Sequence, residues 1–189
     1  MADEAKARMQ QLLAALLPRA RSGIPIVGLE PSCLLTLRDE LLVMGLGDAA
    51  VTVAWQALLF EEFVARESAA GRFAPALRPA RQQILVHGHC HQKAFGTVPS
   101  VLAALRQIPD AAPVLIESSC CGMAGAFGYE AAHQVVSMQM AELSLLPAVR
   151  AAPDAVLVAD GTSCRHQIAD GAGREALHLA RVLADHLAG

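Results

Sequence analysis

The chain has 189 residues, 15 Lys and Arg against 18 Asp and Glu, a formal net charge of -3, and 54% hydrophobic but only 4% aromatic residues. That length suits one domain with a sizeable core, and the near-neutral charge without a basic block argues against a nucleic-acid partner. No apolar run reaches the length of a membrane span, so no transmembrane segment is expected. The charged, helix-prone N-terminus is not a signal peptide. Five cysteines are an odd number and too sparse for a disulfide scaffold, so a reducing cytoplasm with thiols free for chemistry is expected.

In chain order, Met9, Leu12, Leu13, Leu16 and Leu17 recur at helical spacing over Ala5 to Leu17, and Pro18 with Ser22 and Gly23 closes that helix. Ile24 to Leu29 reads as a short strand ending at Glu30, Pro31, Ser32 and Cys33. Leu34 to Met44 returns to helix. Asp48 then caps a longer amphipathic helix to about Ala69, with Val51, Trp55, Leu58, Leu59, Phe63 and Val64 on its buried face. Gly71 to Ala80, with two prolines, is a loop.

The second half alternates more cleanly. Ile84 to Val86 is a strand, followed by a run from His87 to Gln92 and a helix from about Val98 to Gln107. Pro113 to Ile116 is the next strand. It breaks at Ser118 and Ser119 into Cys120, Cys121 and Gly122; Gly125 and Gly128 then lead into a helix from about Tyr129 to Arg150, whose last turn Pro147 kinks or shortens. Ala155 to Ala159 is a fourth strand, Asp160 to Gln167 opens a helix, and Arg174 to Leu187 is a last helix presenting Leu177, Ala180, Leu183 and Leu187 to the core. Strands alternating with helices predict an α/β fold: a mostly parallel sheet of about four strands with helices on both faces.

Cys33, Cys90, Cys120, Cys121 and Cys164 each follow the carboxyl end of an expected strand. In an open parallel sheet those ends share one edge, where such folds place their ligands. Adjacent cysteines on a tight loop are poor disulfide partners and suit a metal or a cluster. Thiols alone favour iron–sulfur chemistry. Zinc would accept Cys with His, and His87, His89 and His91 flank Cys90, although the short Cys-x-x-Cys pairs of zinc sites are missing. A thiol nucleophile at Cys90 is a third reading and leaves the other cysteines unexplained. Arg165 and His166 follow Cys164 at a helix start and could balance negative charge, whereas His133, His178 and His186 read as ordinary helical residues. No carboxylate pair, Ser–His–Asp arrangement or dinucleotide-type glycine loop stands out, so no catalytic residue is assigned.

The segments Gly28 to Cys33, His87 to Lys93, Ser119 to Glu130 and Ala159 to Ile168 resemble the cysteine-rich CCG domain of iron–sulfur oxidoreductases. That group includes the cysteine-rich component of heterodisulfide reductase, the glycolate oxidase iron–sulfur subunit and the C-terminal part of FAD-linked oxidases of the D-2-hydroxyglutarate or D-lactate dehydrogenase type, the last being the nearest in kind. The resemblance implies one CCG-type domain over 1–189, with 1–80 a partial first half and 81–189 a second half carrying the full Cys, Cys-Cys-Gly, Cys pattern. It implies an iron–sulfur cluster of the [4Fe–4S] class on Cys90, Cys120, Cys121 and Cys164, with Cys33 as a further candidate ligand. His89, His91, Gly122, Arg165 and His166 would surround it. The chain would relay electrons from FAD on a partner dehydrogenase domain or subunit that oxidises a small 2-hydroxy acid, and would not turn over alone. A zinc-bound or metal-free docking domain of such a complex is the alternative. Gly161 stands where the family pattern has a further cysteine, so a five-thiolate cluster is not expected. Larger members carry more chain upstream, so this chain reads as a fragment or as a reduced relative with a separate partner.

Overall fold

A computed structural model describes residues 2–188. The chain divides into two units, Met1–Phe63 and Val64–Gly189. The first contains α1 (Ala2–Arg21), β1 (Ile26–Gly28), α2 (Pro31–Leu35), α3 (Glu40–Val43), α4 (Asp48–Gln56), β2 (Ala57–Leu59) and the start of α5 (Phe60–Ala69). β1 and β2 pair in parallel from Ile26 with Ala57 to Gly28 with Leu59, forming a two-stranded sheet of their own. The expected helix from Asp48 to Ala69 is therefore interrupted at Ala57–Leu59. Ladder pairing with β1 and complete burial of Leu59 outweigh the local helical pattern. The buried face of α4 is Ala50 and Val53, whereas Val51 and Trp55, expected inside, are 45% and 80% exposed. Glu62 fixes this turn: its carboxylate accepts from Leu59 N at 2.9 Å and, through both oxygens, from Arg38 Nη1 at 2.9 and 2.7 Å.

The second unit continues with β3 (Ile84–Val86), α6 (Cys90–Ala94), α7 (Val98–Leu105), β4 (Pro113–Leu115), a 3-10 turn at Phe127–Tyr129, α8 (Gln134–Glu142), α9 (Leu145–Ala151), β5 (Val156–Val158), α10 (Thr162–Ala172), β6 (Ala176–Leu177) and α11 (Leu179–Asp185). Four strands form one wholly parallel sheet in the order β4-β3-β5-β6, flanked by helices, which is the α/β architecture the alternation predicts. Three of its strands match the apolar runs in the sequence. The fourth, β6, lies where a helix starting at Arg174 is expected; its two residues pair with Leu157 and Val158, and α11 begins only at Leu179. Leu187, expected in the core, is half exposed. The expected helix from Tyr129 to Arg150 is split at Leu143 and Ser144. Pro147 explains the position of the break, because its ring clashes with the carbonyl four residues earlier, that of Leu143.

Strand order reverses between β3 and β5: the chain steps from β3 outward to β4, then returns to the other side of β3. Such a switch point leaves a crevice at the carboxyl ends of the two strands. The apolar cluster behind it includes Leu85, Leu145, Val149, Leu157 and Ile168, and Cys121 and Cys164 belong to the same cluster. Each leucine-sized side chain buried there contributes roughly 1.5–3 kcal/mol. Among the described residues, no helix is long and apolar enough to cross a membrane.

Candidate metal centre

Three loops meet at the switch point. After β3, the ladder extends one residue further, His87 N donating to Val158 O at 2.8 Å, which turns the His87 side chain inward at 1% exposure. The strand then ends, because His89 becomes the N-cap of α6. Its Nδ1 accepts from His91 N at 3.2 Å, while Gln92 Oε1 accepts from His89 N at 2.9 Å. This reciprocal cap satisfies two otherwise orphaned donors and sets Cys90 at the first turn. After β4, Gly122 closes the Cys120–Cys121 turn at φ 92, its amide donating to Cys120 Sγ at 3.2 Å. After β5, Gly161 starts α10 and puts Cys164 in its first turn.

The four thiols of this unit thereby come together as two pairs. Cys164 Sγ donates to Cys121 Sγ at 3.4 Å, and both are buried. Cys90 and Cys120, both half-buried, lie near each other, close enough for Cys120 to raise the Cys90 thiol. Cys33 lies on α2 of the first unit and is exposed. A ring nitrogen of His87 and the sulfurs of Cys121 and Cys164 all lie within 4.8 Å of one another, an arrangement able to hold a metal ion.

The paired thiols share protons unequally. The hydrogen bond from Cys164 holds the Cys121 thiol down at about 4, against the opposing effect of burial and with further help from His87 and the Met123 amide. Cys164 is correspondingly pushed up, first by the thiolate it donates to and then by burial. Burial raises Cys90 to about 11, with Cys120 adding to the effect. Metal-free protein should therefore retain a thiolate ultraviolet absorbance at pH 6 that fades as the pH falls through about 4. Replacing Cys121 with Ser should abolish that low-pH step.

Positive charge and buried hydrogen bonds hold the loops. Lys93, half-buried on α6, donates to Ser118 O and, at 2.7 Å, to Ser119 O, gripping the two residues that precede the double cysteine. Burial lowers its pKa and the four thiols oppose that shift. Arg165 Nη1 reaches back to Ala159 O at 2.9 Å and Asp160 O at 2.6 Å, fixing the exit of β5. Asp160, 2% exposed, joins the Cys90 and Cys164 segments: Oδ2 accepts from Gln92 Nε2 at 2.9 Å and Oδ1 from Leu179 N at 2.9 Å. Asn at 160 would face one of these donors with an NH2. Flipping Gln92 instead would strip His89 N of its acceptor. Asp160→Asn should cost about 1–3 kcal/mol, read as a lower thermal midpoint of the metal-free protein.

The residues expected around the thiols fall at different depths. Gly122 is buried against Ser137, His89 is buried as a cap, and Arg165 is partly buried. His91 and His166 are exposed; His91 stacks on His89 with ring centroids 5.2 Å apart, and His166 binds the Tyr129 hydroxyl. A Cβ at Gly161 would lie 2.3 Å from His89 Cδ2 and 3.3 Å from Cys164 Sγ. The His89 ring thus occupies the room that a side chain at 161 would need. Lys93 and the Asp160–Gln92 link are the members that sequence reasoning did not single out, and His87 was named only together with His89 and His91. The alternation of those three histidines does not say which ring turns inward.

No protein-family model matches the chain. The chain is 30% identical over 165 residues to D-2-hydroxyglutarate dehydrogenase of Escherichia coli (strain K12) and 29% identical over 171 residues to the protein of that name from Pantoea ananatis (strain AJ13355). It is 26% identical over 167 residues to a component of the anaerobic glycerol-3-phosphate dehydrogenase of Escherichia coli (strain K12). These matches take in 87% or 88% of this chain, but it spans 16% of the length of the first two relatives and 41% of the third. Over most of its length the chain is therefore similar to segments of dehydrogenases.

Proposed function

We propose that the second unit is an iron–sulfur electron-transfer module, a domain or subunit of a flavin-linked 2-hydroxy-acid dehydrogenase. The observation that carries this reading is the Cys121–Cys164 sulfur pair with a His87 ring nitrogen in reach, on loops that follow β3, β4 and β5 and also carry Cys90 and Cys120. The similarity to segments of dehydrogenases supports it. Cys90, Cys120, Cys121 and Cys164 would hold the cluster. The donor set fits: it is rich in thiols, the Cys121 thiol is held down at about 4, and a buried His87 nitrogen without a hydrogen-bond partner lies beside Cys121 and Cys164. Once bound, a cluster of the [4Fe–4S] class would supply one-electron chemistry, passing electrons from reduced flavin to an acceptor.

The chain's own part is positioning, dryness and charge. Burial of Cys121 and Cys164 keeps water away, which makes every nearby charge count for more. The Gly122 amide donates to Cys120 sulfur, Lys93 places positive charge near the thiols, and Arg165 sits on the carbonyls that lead into the Cys164 turn. The amide and Lys93 stabilise added negative charge and so raise the potential at which an electron is accepted. Anaerobic mixing of iron- and sulfide-loaded protein with chemically reduced flavin tests the reading. Bleaching of the visible absorbance with one electron taken up per cluster is expected, and a loaded protein that stays oxidised would overturn it.

One distance favours a second reading, a single zinc ion in a docking domain of such a complex. Two thiolates on one tetrahedral ion with bonds of about 2.3 Å lie about 3.8 Å apart, and the 3.4 Å between Cys121 and Cys164 is close to that. Stoichiometric zinc without sulfide in protein purified from cells grown with both metals would select it.

A further inference from the structure

We infer that His87 is a nitrogen ligand of the metal that Cys121 and Cys164 hold, so that the centre is a mixed thiolate–imidazole site. The inference rests on the metal-binding reading above and adds a ligand to it. His87 is 1% exposed and its Nε2 finds no hydrogen-bond partner. Leaving such a nitrogen buried and unpaired is unfavourable, so a group that uses it is called for. A ring nitrogen lies beside the Cys121 and Cys164 sulfurs, yet no hydrogen bond of normal geometry reaches Nε2. Its position among the two sulfurs, all within 4.8 Å, leaves room for an ion with bonds of about 2.0–2.3 Å once the side chains close slightly.

The other ring nitrogen is held in the manner a ligand needs. Nδ1 and Ser118 Oγ are 2.8 Å apart, and Ser118 Oγ can donate its own proton to Ile116 O at 3.4 Å. The hydroxyl is then free to accept from Nδ1–H, which leaves Nε2 unprotonated with its lone pair toward the sulfurs. A second ring nitrogen fixed by a neighbouring acceptor is the usual support of metal-bound histidine. Main-chain ladder bonding from His87 N to Val158 O holds the backbone in place, so the ring cannot easily swing away. His89 is committed elsewhere: its Nδ1 caps α6.

The competing arrangement has Nε2–H donating to a Cys121 thiolate, with no bond to the metal. Zinc X-ray absorption separates the two, using zinc alone as the probe on the metal-free full chain. Wild type should show sulfur scattering together with the outer-shell signature of a bound imidazole. His87→Ala and His87→Cys should both lose that signature, and zinc affinity in His87→Ala should fall at least tenfold, while His87→Cys restores it with sulfur alone. Circular dichroism confirms that each variant is folded, and His87→Cys keeps a donor should His87→Ala collapse the pocket. Sulfur-only scattering in wild type would overturn the role of His87 and leave the thiol site standing. An imidazole signature that survives in both variants would also overturn it, by pointing to another histidine. Failure of wild type to bind more zinc than a Cys121→Ser, Cys164→Ser double variant would overturn the thiol site and this inference together.

Discussion

Gly122→Ala is expected to unfold the double-cysteine loop. A Cβ there would lie 2.1 Å from Ser137 O and 2.9 Å from Ser137 C, and the backbone sits at φ 92, where side chains are strained. The obstacle is main chain at the first half of α8, and that helix is itself tied down: Gln167 Nε2 on α10 donates to Ser137 O and Oγ, both at 3.0 Å. Neither partner can give way cheaply. The loss should reach about 3–4 kcal/mol or more, among the larger effects of a single substitution, and lower the thermal midpoint by about 10 °C. Gly125→Ala supplies the comparison. It too has positive φ, at 67, but nothing lies within 4 Å of its Cβ, so backbone strain of about 1–2 kcal/mol is all it should show. Equal midpoints for the two variants would mean that the close approach to Ser137 does not hold the loop.

Cys121→Ser and Cys164→Ser should each sharply weaken metal retention, by far more than any loss of stability. Sulfur and hydroxyl are similar in size, but an alcohol neither ionises near neutral pH nor competes as a soft ligand. The substitution also removes the thiol–thiol hydrogen bond that holds Cys121 at about 4, so Cys164→Ser should weaken binding through Cys121 as well as through the missing ligand. Chelator competition should show affinity lowered by more than about 100-fold, beyond the 10–100-fold typical of losing an outer partner of a ligand. Cys90 and Cys120 are more exposed, and serine there should disturb the fold less. Undiminished affinity in either buried variant would remove that cysteine from the centre.

The sheet was legible where strands are apolar runs bounded by turn residues, as in Ile84–Val86 and Val156–Val158. β2 and β6 were not. Their short segments carry helix-compatible residues and become strands only by pairing with partners about 20 or more residues away. The four thiols of the second unit could be placed on one rim because parallel strands send all their carboxyl ends the same way. His87 could not be told from His89 and His91, since the choice depends on where ladder bonding stops and capping starts. It stops at His87 and gives way to the cap at His89. The Asp160–Gln92 link joins residues 68 positions apart and leaves no periodic trace in the sequence.

On the proposed reading, the thiols at the carboxyl ends of β3, β4 and β5 act together as one metal centre. Iron, zinc and acid-labile sulfide assayed in anaerobically purified full chain, beside a variant with Cys90, Cys120, Cys121 and Cys164 all changed to Ser, test it most directly. Iron with matching sulfide is expected in the wild-type chain and neither in the variant. Equal metal content in the two would contradict it.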